Sequence, residues 1–486
     1  MRALDVLPDT ADQLRAAQSY LADLLTPTVR LGVTGLARSG KTVFITALVR
    51  NLTSGGRLPF FAADAQGRIL RVYLEPQPDD DVPRFDYEWH IDALTGPDPS
   101  WPDSTRRISQ LRLTFEYLPA NPLRRWLGVA RLHLDIVDYP GEWLLDLALM
   151  GESYGSWSAG ALALANEPAR AAAAAPFLAY LANLAPVSPD PEATALAGAK
   201  LFTAYLKADR AGEEAQATLG PGRFLMPGEL EGSPLLTFFP LPAPDTPGRA
   251  SALHALLARR FESYKSKVVE PFFRDHFARL DRQIVLIDAL GAINRGGAAL
   301  AELERALTAI MTAFRPGVGS WLSFLTGARI DRLAFAATKA DHLHHDGHPR
   351  LEAILRLATE RAANRALGSG ARVECMAVAA VRATREAQMT RGGETFPVIL
   401  GVPVKGEIID GRVFDGKTEA GIFPGDLPAD PARAFDAAGA RADDHAFVRF
   451  RPPLFATAGS SDSAQRTLPH IRLDRVIDFL IGDKLA

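Results

Sequence analysis

Residues 35–42 read Gly-Leu-Ala-Arg-Ser-Gly-Lys-Thr, and this stretch decides the fold. It satisfies G-x-x-x-x-G-K-[ST] and stands between an apolar, branched run at 29–34 and a helix-forming run at 43–52. Strand, glycine loop and helix in that order make a phosphate cradle. Gly35 and Gly40 let the backbone curl so that the amides of Ala37, Arg38, Ser39, Gly40, Lys41, Thr42 and Val43 can face phosphate oxygens. The helix N-terminus adds its dipole, Lys41 reaches the outer phosphates, and Thr42 offers a hydroxyl to Mg2+. The Arg38 side chain either acts as a cation on the phosphates or points to solvent.

Outward from this loop, further short apolar runs recur at 108–117, 129–137, 283–287, 333–338 and 372–379. Near-continuous apolar character is how strands buried on both faces of a parallel sheet read. Helical stretches lie between several of them, so the expected fold is α/β, a mostly parallel sheet flanked by helices. Residues 143–280 change texture to alanine-rich helices and a Pro/Gly-punctuated stretch, which predicts a helical insertion. The discontinuous core is then 1–142 and 281–390. Residues 391–486 carry turn dipeptides at Asp410-Gly411 and Asp415-Gly416, giving a β-hairpin or small sheet, a surface loop over 424–440 and a closing helix.

At 486 residues the chain exceeds what one core holds, since single cores stop growing at roughly 250–300 residues. A net charge of -3 gives no chain-wide attraction for nucleic acid, so none is expected as a partner. The single cysteine, Cys375, excludes an internal disulfide framework and reads as packed core. Residues 1–25 form an amphipathic pattern rather than a secretion signal, and the alanine-rich window 171–187 is interrupted by Pro176, Asn183 and Pro186. A transmembrane segment is therefore not expected.

Two further motifs follow the loop in chain order. Residues 134–141 form an apolar strand ending in Asp138, followed by Gly141; the aspartate can hold the Mg2+ shell and the glycine amide can meet a γ-phosphate. Asp288 is the rival carboxylate, read as a strand-terminal turn. Thr338-Lys339-Ala340-Asp341 places a carboxylate where both oxygens can accept the two N–H groups of guanine, with Thr338 standing where asparagine is usual. The backbone at Ala380 and Val381 either closes a base pocket or is a plain strand end. These elements point to GTP/GDP with Mg2+.

With the elements in this order, the chain resembles the YcjX-like family of bacterial P-loop GTPases. The likeness rests on residues 35–42, Trp-Pro-Asp-Ser-Thr at 101–105, Asp-Tyr-Pro-Gly-Glu-Trp at 138–143 and Thr-Lys-Ala-Asp at 338–341, and extends to 282–288 and the closing helix. It implies a Ras-like core with large insertions, nucleotide-dependent shape change, a role in stress responses and a regulatory or inner-membrane protein partner. A cytoplasmic protein, peripheral at that membrane, would fit. It also implies a switch threonine that binds Mg2+ with the triphosphate; Thr105 is the candidate, with Ser104 and Thr95 as rivals. Glu142 follows Gly141 where many GTPases place a water-orienting glutamine; a glutamate there can position water, but its charge opposes the γ-phosphate unless neutralised, so slow intrinsic turnover is expected, with stimulation by a partner or by self-association. His342, His344, His345 and His348 cluster after Asp341, but no carboxylate or thiol pattern accompanies them, and they read as solvated.

Overall fold

The structure is a computed structural model that describes residues 26–36, 38–56, 58–103, 107–126, 128–185, 188–211, 220–243, 251–312, 330–368, 370–391, 393–409, 411–436, 445–455 and 467–486. All six apolar runs are strands: β1 (Thr28–Gly35), then, after β2 (Ile69–Glu75), β3 (Ser109–Tyr117), β4 (Ala130–Asp138), β5 (Arg282–Ile287), β6 (Arg332–Ala337) and β7 (Arg372–Ala377). They form one sheet in the order β2-β3-β4-β1-β5-β6-β7. β4, β1, β5, β6 and β7 are parallel, and β3 runs antiparallel to both neighbours. β2, at the edge of the sheet, buries only Val72.

Both faces of the sheet are covered, which is why its strands read as apolar throughout. On one face lie α1 (Lys41–Thr53), α2 (Tyr87–Thr95) and the closing helix; they share a core with Leu31, Val33, Ile284 and Leu286. The alternate residues Val285 and Ile287 pack on the other face. Between β4 and β5 the chain builds α3 (Trp143–Ala148), α4 (Tyr154–Ala165), α5 (Ala171–Ala182), α6 (Pro191–Ala211), α7 (Ala252–Tyr264) and α8 (Glu270–Asp275), with no strand among the described residues. Their aromatic core includes Trp157, Phe177, Phe202, Phe238 and Phe261, with Trp157 stacked on Phe261 at 5.0 Å. α9 (Ala289–Asn294) and α10 (Gly297–Thr312) follow β5, and α11 (His348–Gly368) follows β6. Among the described residues no helix is long and apolar enough to cross a membrane.

Past β7 the small sheet starts earlier than residue 391: β8 (Arg385–Arg391) and β9 (Glu394–Gly401) form a hairpin, so the boundary expected at 390 falls inside a strand. The polar sequence of β8 conceals it. β10 (Ile408–Ile409) and β11 (Arg412–Val413) pair antiparallel, and β12 (Ala420–Ile422) adds to β9. The stretch expected as a plain surface loop instead sends Leu427 and Ala434 into the core beside α11. The closing helix, α12 (Leu473–Ile481), buries Leu473, Val476, Ile477, Leu480 and Ile481. At roughly 1.5–3 kcal/mol each, these contribute on the order of 10 kcal/mol before entropy is charged. Its end is fastened to the sheet by Arg282 Nε, which donates to Leu480 O at 2.8 Å. The 1–25 amphipathic pattern lies outside the described residues.

Candidate functional site

The glycine loop leaves β1 and enters α1 through a turn that side chains resist. Gly40 is left-handed at φ 84° and has open space where a Cβ would stand, whereas a Cβ on Gly35 would meet Ser39 Oγ at 2.4 Å and Leu286 O at 2.5 Å. Arg38 also has positive φ, 62°, and an exposed side chain. Lys41 Nζ donates to Gly35 O at 2.9 Å, so the loop curls around its own ammonium group. Ser39 Oγ is buried without a hydrogen-bond partner, a desolvation cost that an oxygen-rich ligand in the loop would relieve. The first amides of α1 have no intrahelical acceptor and add to the cradle. Thr42 Oγ1 lies 3.3 Å from Asp103 O, which brings the 101–103 stretch to the loop. Ala37, Ser104 and Thr105 lie outside the described residues, and Thr95 is spent within α2, donating to Ile91 O at 2.8 Å.

Asp138 ends β4 in register with Val33, two residues before Gly35, and is buried. Gly141 touches the loop directly: a Cβ there would lie 1.8 Å from Gly35 O. Thr42 and Ser39 carry hydroxyls in the loop and Asp138 a buried carboxylate at the end of the neighbouring strand, and oxygen groups of this kind suit a hard cation such as Mg2+.

The next residues are gripped by the helical layer. The Glu142 carboxylate pairs with Arg210 of α6, and a Cβ on Gly222 would sit 1.9 Å from Glu142 O. The Arg223 guanidinium covers the Trp143 ring at 3.2 Å, and Trp143 Nε1 donates to Met226 O at 3.0 Å. Asp146 Oδ1 accepts the Gly222 amide at 2.7 Å. Burial pushes its carboxyl up to about 7, against the opposing pull of Tyr264, the Gly222 amide and Arg223. Sequence reasoning missed Arg210, Gly222 and Arg223; the Pro/Gly-punctuated stretch was the one visible signal.

At the ends of β6 and β7, Thr338 turns inward: its amide donates to Ile287 O at 2.9 Å and its hydroxyl lies 3.3 Å from the same oxygen. Lys339, at φ 61°, pairs with Asp288, which also caps α9 by accepting the Gly291 amide at 3.0 Å. Burial raises the Asp288 pKa, but Lys339 and these hydrogen bonds outweigh it and hold the carboxyl low. Asp341 is buried, and its Oδ2 accepts the Ala383 amide at 2.8 Å while Thr384 Oγ1 donates to its carbonyl. The stretch through Ala380 and Val381 is thereby held against the Thr338–Asp341 turn. The loop, Asp138 with Gly141, and these two turns all lie at the carboxyl ends of parallel strands, the usual ligand position in such sheets.

A glycine phosphate loop and an aspartate strand around this sheet define a Ras-like P-loop fold. The chain belongs to the YcjX-like family, whose model matches residues 29–485. It is 38% identical over 470 residues to the "Ras-like GTPase YcjX" of Escherichia coli (strain K12), covering 94% of this chain and 96% of that protein. It is 36% identical over 493 residues to the protein of the same name from Shewanella oneidensis, with 96% and 97% covered.

Proposed function

We propose that the chain binds GTP and GDP with Mg2+ and hydrolyses GTP slowly, acting as a conformational switch. The observation that carries this is the contact of Gly141 with the Gly35 carbonyl, which ties the segment after Asp138 to the phosphate loop. Lys41 and the loop amides hold the phosphates, Asp341 accepts from guanine, and Ala380 and Val381 wall the base. Thr42 and Asp138, with Thr105 in the triphosphate state, hold the metal. Mg2+, when bound, supplies charge neutralisation on the outer phosphates. Gly141 then meets the γ-phosphate, and strain at that contact passes through Glu142 and Trp143 into the helical insertion, 143–280.

A second reading is a nucleotide-stabilised scaffold with little hydrolysis. The Glu142–Arg210 pair favours it: Arg210 neutralises the charge that would oppose the γ-phosphate, but it also engages the carboxylate that would orient water. Calorimetry with GDP and ADP plus Mg2+, on wild type and Asp341→Ala, tests the base assignment. Each charged hydrogen bond is worth about 1.5–3 kcal/mol, so two lost contacts predict a GDP affinity lower by roughly two to four orders of magnitude. A preference for ADP, or indifference to the substitution, overturns the assignment and favours an ATP-dependent phosphotransferase. Phosphate release over many turnovers separates the switch from the scaffold.

A further inference from the structure

We infer that His344, His345 and Asp346 form a binding site for a divalent transition-metal ion of the zinc type, with Glu386 orienting the two imidazoles, separate from the phosphate loop. The sequence places Asp346 directly after the two histidines, but the carboxylate that holds their other ring nitrogens, Glu386, lies 41 residues downstream on β8. The fold brings it back. Glu386 Oε2 lies 2.8 Å from His345 Nδ1 and 3.5 Å from His344 Nε2, while Asp346 lies 3.0 Å from His344 Nδ1 and 3.4 Å from His345 Nε2.

His344 Nδ1, His345 Nε2 and the Asp346 carboxylate can face one ion, while Glu386 lies at the opposite nitrogen of each ring, the place of an outer carboxylate that orients metal-binding imidazoles. One ligand atom from each of His344, His345 and Asp346 falls within 4.8 Å of the others. The cluster is organised without an ion: Glu386 Oε1 accepts the His345 amide at 3.0 Å, and the two imidazoles lie 4.2 Å apart. Imidazole donors select zinc, copper or nickel over magnesium and calcium, and two carboxylates balance the double charge. His348 is not part of the set, since its Nε2 is bonded to Ala340 O at 2.8 Å. His345 and Asp346 are 64% and 79% exposed, so water completes the shell and the site is open. A bound ion would staple the turn after Asp341 to the β8–β9 hairpin.

The test uses tag-free full-length chain in excess Mg2+, titrated with Zn2+ against a chromogenic chelator. Wild type should take up one equivalent, with affinity falling roughly tenfold or more in Glu386→Gln and uptake lost in the His344→Ala/His345→Ala pair. Co2+ should give the strong visible bands of a low-symmetry site in wild type only. Matching far-UV circular dichroism without metal shows that the variants are folded. Zinc uptake unchanged in the double variant, or no stoichiometric uptake by wild type, overturns the assignment.

Discussion

Replacing Gly141 by alanine presses on the contact between the aspartate strand and the phosphate loop. The new Cβ would stand 1.8 Å from Gly35 O, 2.7 Å from its carbonyl carbon and 3.0 Å from Leu36 Cα. Side-chain carbons essentially never approach closer than 3.0 Å, so the two backbones must part by at least 1.2 Å (3.0 less 1.8). Neither partner is a flexible side chain that can swing away. Overpacking of this kind costs about 1–3 kcal/mol, or roughly 5- to 150-fold in any equilibrium that requires the contact. Diphosphate binding needs the loop but not the touch of Gly141, so GDP affinity should change by less than about fivefold. A non-hydrolysable GTP analogue should bind more weakly by the full factor. Calorimetry with both nucleotides measures the difference. Equal losses for the two, or none for either, would refute Gly141 as the element that distinguishes triphosphate from diphosphate.

Asp146 makes stability depend on pH. Its folded pKa lies near 7, above the ordinary 3.8, so the folded chain holds the proton more tightly than the unfolded one. Stability is then full below about pH 4 and declines as pH rises toward 7, by at most about 1.4 kcal/mol per pH unit. Denaturant unfolding of wild type and Asp146→Asn should diverge over that window, with the wild type losing more stability than the variant as pH rises; parallel curves would show that Asp146 ionises freely. Arg210→Ala leaves the Glu142 carboxylate, 8% exposed, without its cation; because Arg210 is itself 31% exposed, the expected loss is about 1–3 kcal/mol. Adding Glu142→Gln should recover part of it, read from thermal melts, and additive losses would mean that the pair is not coupled.

The core of the fold was legible because its signals are local. The glycine loop, Asp138 with Gly141 and Thr338–Asp341 each occupy a few adjacent residues, and strands buried on both faces advertise themselves as apolar runs. β2 and β8 were not, since an edge strand and a polar hairpin strand owe their place to partners rather than composition. The same holds within the site. Glu142 could be read as a charge in an awkward position, but its neutralising Arg210 lies 68 residues away and only the packing of α6 brings them together. Glu386 beside His345 is hidden in the same manner. Thr338 stands where asparagine is usual, and its amide and hydroxyl both face Ile287 O, a contact that the sequence of one strand end does not reveal.

The burial of α12 bears on how the chain is made. The face of β1 and α1 that it covers is translated more than four hundred residues earlier, as the separation of 417 between Asn51 and its partner Leu468 shows. Domains ordinarily fold as they emerge, at roughly 5–20 residues per second. Here the glycine loop, though synthesised first, stands on a half-covered core until residues 473–481 leave the ribosome. The core under the glycine loop is therefore completed only at the end of synthesis.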